Sequence, residues 1–299
     1  MKAINKTPFV SIGFVIASWL QAAAGLAAQT QNRGVQVPEA SLAAGSGAFR
    51  ALVIGIDGYR NWIPLRFAER DAKEIRDILV TDYAFEPDNV VTLLGREATE
   101  SNVMAELRRL LFEVAGEEDR LLIYYAGHGQ IDPMTDTGFW IPVDGDLYDT
   151  STWIPFTWVQ DQLKAERVVP KNVIVITDSC YGGALTRSGP PPPNGPAPGN
   201  PAYERHLQSL MAKRSRQVIA SGGFEVVPDK SKFAEFLKAA LRANPYPAID
   251  LELLFYSQVY PGLLQTGQQS PTMNRLVNRP GEDGQFVLFR GQPKTTSFR

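Results

Sequence analysis

The chain has 299 residues, 44% hydrophobic and 21% charged, with a formal net charge of −2 at pH 7. These are ordinary globular values, and they exclude wholesale disorder and fibrous repeats. One cysteine, Cys180, and two histidines, His128 and His206, exclude an intramolecular disulfide and all but exclude a Cys/His zinc cage, haem or iron–sulfur chemistry. The absence of a basic block excludes a general nucleic-acid binder.

The N-terminus carries Lys2 and Lys6, then the apolar run Phe9–Leu20, then small residues through Ala28. This order reads as a signal peptide over residues 1–28 that is removed on export, giving a periplasmic or secreted protein. An uncleaved membrane anchor is the alternative, because Phe9–Ala28 is about as long as a bilayer-spanning helix. Membrane association enters only in that case. A flexible linker follows over residues 29–48. An exported chain with one unpaired cysteine needs a reason for keeping it.

From residue 49 onward, short apolar runs alternate with amphipathic stretches. Strands are predicted at Phe49–Ile56, Val90–Leu94, Leu121–Tyr125 and Val173–Thr177. Helices are predicted at Phe67–Leu79, over the stripe Val103 to Val114, and at Trp158–Leu163. Continuous apolar strands alternating with helices imply an α/β fold, with a mostly parallel sheet covered by helices on both faces. Residues 188–204 open with SGPPPPNGPAPGNP, a Pro/Gly-rich linker between a larger region, 49–187, and a smaller one, 205–292. In the smaller region, strands are predicted at Gln217–Ser221 and Phe286–Phe289 and helices at Phe233–Ala243 and Ile249–Tyr260. The whole region is expected to extend the same sheet. Residues 293–299 form a tail.

His128 follows the strand LLIYY in the segment YYAGHG, and Cys180 follows VIVIT in DSCYGG. In an open parallel sheet, ligands bind beyond the carboxyl ends of the strands. If the two strands are neighbours, the thiol and the imidazole converge on that edge. An imidazole beside a thiol of ordinary pKa about 8.5 helps generate the thiolate and protonates a leaving amine. The main-chain N–H groups of Gly129 and Cys180 would face a developing oxyanion. Each residue alone also fits a bland role, a buried small hydrophobe for the cysteine and a solvated loop for the histidine. Their joint placement favours peptide-bond acyl transfer.

These segments, with Ala51–Ile56, FWIPVD at Phe139–Asp144 and RQVIASGGFE at Arg216–Glu225, resemble the caspase-like peptidases of family C14, most closely the bacterial metacaspase-type members. The resemblance implies the caspase-like three-layer sandwich. It implies His128 as base, Cys180 as nucleophile, and Gly129 with the Cys180 amide as oxyanion donors. It further implies that Asp178 and Asp71 line a pocket for Arg or Lys at P1, against the plainer readings of a helix cap and a solvated first-turn acid. Ser221, Gly222 and Gly223 match the segment that pairs with substrate backbone. Ala126, Tyr181 and Gly182–Gly183 depart from the family pattern. Self-cleavage after Arg187 or Arg205, which bracket the linker, is a further implication.

No cofactor is implied beyond the calcium activation seen in many metacaspases. The acids Asp132, Asp136, Asp144, Asp146 and Asp149 match no EF-hand spacing and read as a solvated loop. The expected partner is a peptide or protein substrate; the sequence specifies no oligomeric state. A catalytically silent peptide-binding scaffold is the alternative function.

Overall fold

Strand β1 (Phe49–Gly55), strand β3 (Arg120–Ala126) and strand β7 (Asn172–Asp178) are buried on both faces, which is why their sequences read as unbroken apolar runs. With β2 (Phe85–Leu94), β8 (Ser215–Ala220) and β10 (Thr272–Arg275) they form a six-stranded sheet in the order β10-β8-β7-β3-β1-β2. All neighbours run parallel except β10, which pairs antiparallel with β8 at the edge. The computed structural model describes residues 47–185, 195–223, 228–267, 269–276 and 282–291. The leader, nearly all of the linker 29–48, Arg187, the proline-rich start of the second linker and the tail lie outside the described residues.

Alternate strand residues face two separate cores. On one side Ala51, Val53, Leu122, Tyr124, Ile174, Ile176 and Ile219 pack against helix α1 (Ala68–Asp82), helix α5 (Lys232–Ala243) and the helical run from α6 (Leu251–Leu254) through a π turn to α7 (Tyr260–Thr266). On the other side Leu52, Ile54, Leu121, Ile123, Val173 and Val175 pack against α2 (Glu100–Arg109) and α3 (Phe156–Lys164). The expected α/β fold with helices on both faces is the observed one. A small antiparallel sheet of β4 (Gly129–Asp132), β5 (Thr137–Trp140) and β6 (Ile154–Pro155) follows directly on β3.

Three expectations in the smaller region need correction. The strand predicted at Phe286–Phe289 is present as β11 (Val287–Phe289), but it pairs antiparallel with β9 (Ala248–Asp250) and does not extend the main sheet. That role falls to β8 and β10. The helix predicted from Ile249 starts only at Leu251, because Asp250 is the extended cap whose side chain accepts from the Leu253 N–H at 2.8 Å. The linker expected to run to residue 204 ends earlier. Pro201 opens helix α4 (Pro201–Met211), and Asn200 caps it through the Ala202 N–H at 2.9 Å.

Helix α1 carries Asp71 and lies directly on the sheet at Gly55. A Cβ on Gly55 would come within 2.6 Å of the Ala72 Cβ and 2.9 Å of the Ala68 carbonyl oxygen. Only glycine permits this approach, which sets the height of α1 over the ends of β1 and β3. Gly55→Ala is therefore expected to destabilise the fold by about 1–3 kcal/mol as α1 is pushed outward. Urea denaturation of the purified variant measures this; stability within error of the parent would refute it.

Candidate active site

Strands β3 and β7 pair in parallel register, with Ala126 opposite Asp178 at their carboxyl ends. His128 and Cys180 each lie two residues beyond that rung. Adjacent strands are about 4.8 Å apart, so the two functional loops leave the sheet side by side. A cavity of about 130 Å³ at this edge is lined by Asp71, His128, Asp178 and Cys180, together with Leu65, Ala68, Pro228, Asp229 and Ser231. The structure thus brings four of the sequence-predicted site residues to one cavity.

The imidazole is fixed from two sides. The His128 backbone N–H donates to the Tyr59 hydroxyl at 2.7 Å, and the Tyr59 ring tilts against the imidazole with centroids 4.7 Å apart. Nε2 lies 2.7 Å from the Ile63 carbonyl oxygen. A carbonyl only accepts, so Nε2 carries the proton and the neutral ring keeps its lone pair on Nδ1. Burial lowers the His128 pKa below its ordinary value, opposed by the Ile63 carbonyl and the charge of Asp229. The ring is thereby biased to the neutral form that accepts a proton.

Gly129 meets Cys180 closely. A Cβ on Gly129 would fall 2.1 Å from the Cys180 carbonyl oxygen. The Ile141 N–H donates to the His128 carbonyl at 3.1 Å, and Gly129 is paired with Trp140 on the next rung. Opposed residues in an antiparallel ladder alternate between bonded and non-bonded pairs, so the Gly129 N–H points away from β5. Cys180 itself is half-buried. Tyr181 adopts a left-handed backbone, φ 58°, which costs on the order of 1 kcal/mol for a non-glycine residue and turns the chain sharply after the thiol. The Gly183 N–H then donates to the Gly223 carbonyl at 3.0 Å, tying this loop to the Ser221–Gly223 segment. The Ser221 N–H already bonds the Thr177 carbonyl at 2.9 Å. Two backbone groups of that segment are therefore engaged within the protein.

The two acids differ in their surroundings. Asp178 is buried and accepts from the Ser231 hydroxyl at 2.9 Å. The Ser221 hydroxyl lies beside it, outside hydrogen-bond geometry, and still favours its charge. Burial outweighs both and pushes the Asp178 carboxyl up to about 6. Asp71 is not the solvated first-turn acid of the plainer reading. It is buried, and its Oδ1 lies 2.7 Å from the Nζ of Lys238, itself buried on α5. Across the cavity rim, Asp229 accepts from the Arg66 N–H at 2.9 Å and from its Nε at 3.2 Å.

The acidic loop is occupied by local structure. Asp132, Asp146 and Asp149 accept from backbone N–H groups two residues on, and Asp144 from the Glu100 N–H. Among the described residues no group of three or more His, Cys, Asp or Glu is placed to hold a metal ion, and no helix is long and apolar enough to cross a membrane. Sequence reasoning missed Tyr59, Ile63, Ser231 and Lys238. Ile63 acts through its carbonyl and leaves no side-chain signal. Ser231 caps α5 through the Ala234 N–H, a start signal readable from Ser before an amphipathic run. Lys238 shares the buried helix face of Ala234 and Leu241, and a charge on such a face marks a buried partner.

Comparison with known proteins places this geometry. A family model described as the caspase domain matches residues 48–299. Metacaspase-6 of Arabidopsis thaliana is 29% identical over 153 residues, covering 46% of this chain and 39% of that protein. Metacaspase-1 of Eremothecium gossypii is 26% identical over 157 residues, covering 46% and 33%. The matched stretch thus spans between a third and two-fifths of these relatives. Among solved structures, a protein from Geobacter sulfurreducens superposes with a TM-score of 0.52 at 18% identity, covering 79% of this chain and 98% of that one. Caspase-1 from Spodoptera frugiperda gives 0.51 at 13% identity, covering 77% and 87%. At these identities the likeness is one of fold.

The ionised Asp178 carboxylate opposes folding. An ordinary aspartate protonates near 3.8 and this one near 6, so the penalty is full above pH 6 and vanishes below about pH 4. Asp178→Asn keeps an acceptor for Ser231 and removes the charge. It is expected to stabilise the fold at pH 7.5 by about 1–3 kcal/mol, with the gain lost by pH 4. Denaturation curves at the two pH values test this, and a destabilised variant at pH 7.5 would contradict it.

Proposed function

The chain belongs to the caspase-domain family of peptidases, C14, and on that premise we propose that it is a cysteine endopeptidase with Cys180 as nucleophile and His128 as general base. The observation that carries this reading is the bond from His128 Nε2 to the Ile63 carbonyl, within a cavity that Cys180 also lines. It leaves Nδ1 as the ring nitrogen free to accept a proton. In the proposed reaction Nδ1 takes the thiol proton and Sγ attacks the carbonyl carbon of the scissile peptide. The N–H groups of Gly129 and Cys180 bond the resulting oxyanion. The imidazolium returns its proton to the departing amine, leaving a thioester. Water, deprotonated by the same imidazole, attacks the thioester and releases the acid and the free thiol.

The cavity acids suit a cationic P1 side chain, arginine or lysine, and repel an aspartate. An extended peptide beside Ser221–Gly223 would supply further main-chain bonds. The reaction needs neither metal nor cofactor, and the leader supports export of the enzyme. A silent scaffold is the less favoured reading, since a peptide-binding role gives no reason for an imidazole held in one tautomer.

Self-processing is proposed at Arg187 and not at Arg205. Arg205 is exposed but lies within helix α4, and a protease cleft takes its substrate extended. The wild-type protein, kept at high concentration, is expected to yield a fragment beginning at Ser188; Arg187→Gln abolishes it and Arg205→Gln does not. Amino-terminal sequencing of the fragments decides, and a fragment starting at His206 would overturn the assignment. For the main proposal, fluorogenic peptides with Arg, Lys or Asp at P1 are compared on wild type, Cys180→Ala and His128→Ala. Turnover of the basic substrates is expected to fall by at least about 10³-fold in both variants. Equal turnover by wild type and Cys180→Ala would sink the nucleophile, and cleavage of the Asp peptide alone would sink the P1 assignment.

A further inference from the structure

Of the three acids that line the cavity, Asp229 at the rim is paired with Arg66, and the difference between the other two, Asp71 and Asp178, lies in a residue outside the cavity. The Nζ of Lys238 is 2.7 Å from Asp71 Oδ1 and 2.7 Å from Glu74 Oε2. A second cation, the half-exposed Arg70, lies 3.4 Å from Asp71 Oδ1 and 3.7 Å from Glu74 Oε1. Two carboxylates and two cations on α1 and α5 thus balance one another. Asp178 bonds the Ser231 hydroxyl and lies beside that of Ser221; it is close enough to feel the charges of Asp71 and Lys238, but no ion pair joins it among the described residues. The Tyr124 hydroxyl, fully buried and close enough to feel the charges of Asp178 and Asp71, has no hydrogen-bond partner among the described residues. The Ser221 hydroxyl is likewise buried without one.

Resting on the reading of this cavity as the P1 pocket, we propose that Lys238 is a specificity-determining residue. It cancels the charge of Asp71 and leaves Asp178 as the carboxylate that meets the P1 cation. With Asp229 paired to Arg66 at the rim, the pocket then presents one uncompensated negative charge, matched to a side chain carrying one positive charge. The two oxygens of the Asp178 carboxylate match the paired N–H donors of a guanidinium better than the point charge of an ammonium. Arginine is therefore preferred over lysine. Asp71 acts as a positioning residue that keeps Lys238 from repelling the substrate.

The test is a double-mutant cycle read on peptides with Arg, Lys or norleucine at P1. Asp71→Asn leaves two cations, Lys238 and Arg70, against the single carboxylate of Glu74, a net positive charge beside the pocket. KM for the Arg peptide is expected to rise at least tenfold, and by a clearly larger factor than KM for the norleucine peptide. Adding Lys238→Met to Asp71→Asn is expected to recover most of that loss. A double variant as poor as Asp71→Asn alone would overturn the proposal, because Asp71 would then be gripping the P1 cation itself. Should Asp71→Asn fail to fold, Lys238→Met alone exposes a second acid, and KM for the Arg peptide is expected to fall several-fold with a steeper salt dependence; an unchanged KM would overturn the proposal. A wild type with no preference for Arg or Lys over norleucine would instead remove the P1 reading on which the proposal rests.

Discussion

The parallel register of β3 against β7 is the constraint on which the site depends. Side chains alternate faces along a strand, so a slip of one residue would carry Tyr124 and Ile176 into the opposite core and separate the two loops. The buried alternation on both faces holds the register, and the Ala126–Asp178 rung delivers His128 and Cys180 at equal height. A second lock acts above the sheet. The Trp140 indole donates to the Thr177 hydroxyl at 2.9 Å, which lies 3.0 Å from the Ser179 hydroxyl. Trp140 also stacks on Tyr125, with centroids 4.6 Å apart. The small sheet that carries Gly129 is thereby pinned to the strand that carries Cys180.

Charge at this edge is set against stability. A carboxylate with its pKa raised by burial is a standing cost, and a native protein retains one where a ligand gains from it. Asp71 and Lys238 show the other solution. Breaking such a buried pair from one side typically costs about 3–5 kcal/mol, because the remaining charge has no water to turn to. The pair therefore ties α1 to α5 whether or not substrate is present. One acid has a permanent cationic partner, and the other has none among the described residues.

What was legible in the sequence follows from how each element is buried. Strands β1, β3 and β7 bury both faces, so VIVIT and LLIYY cannot be mistaken for surface structure. Strands β4 to β6 and β9 are two to four residues long, too short for a period to register. Val287–Phe289 was recognisable as a strand, but its partner β9 is a tertiary choice that alternation does not encode. His128 and Cys180 stood out through scarcity and equivalent placement. The Ile63 carbonyl that fixes the imidazole tautomer belongs to the backbone, and any residue type supplies it. The reach of α1 over the sheet was hidden in Gly55, whose importance lies in what is missing from it.

Ser231 and Lys238 are seven residues apart on the start and middle of α5, a spacing that places them on one helix face. One bonds Asp178 and the other Asp71. The sheet thus fixes the thiol and imidazole, while a single helix sets the state of both pocket acids. Moving or recharging α5 would alter which side chain the cavity accepts without touching the β3–β7 rung. The separation has a physical basis: the rung is held by backbone hydrogen bonds between buried strands, and the pocket charges by side chains on an amphipathic helix. On the proposed reading, chemistry and choice of substrate therefore rest on different interactions within one cavity.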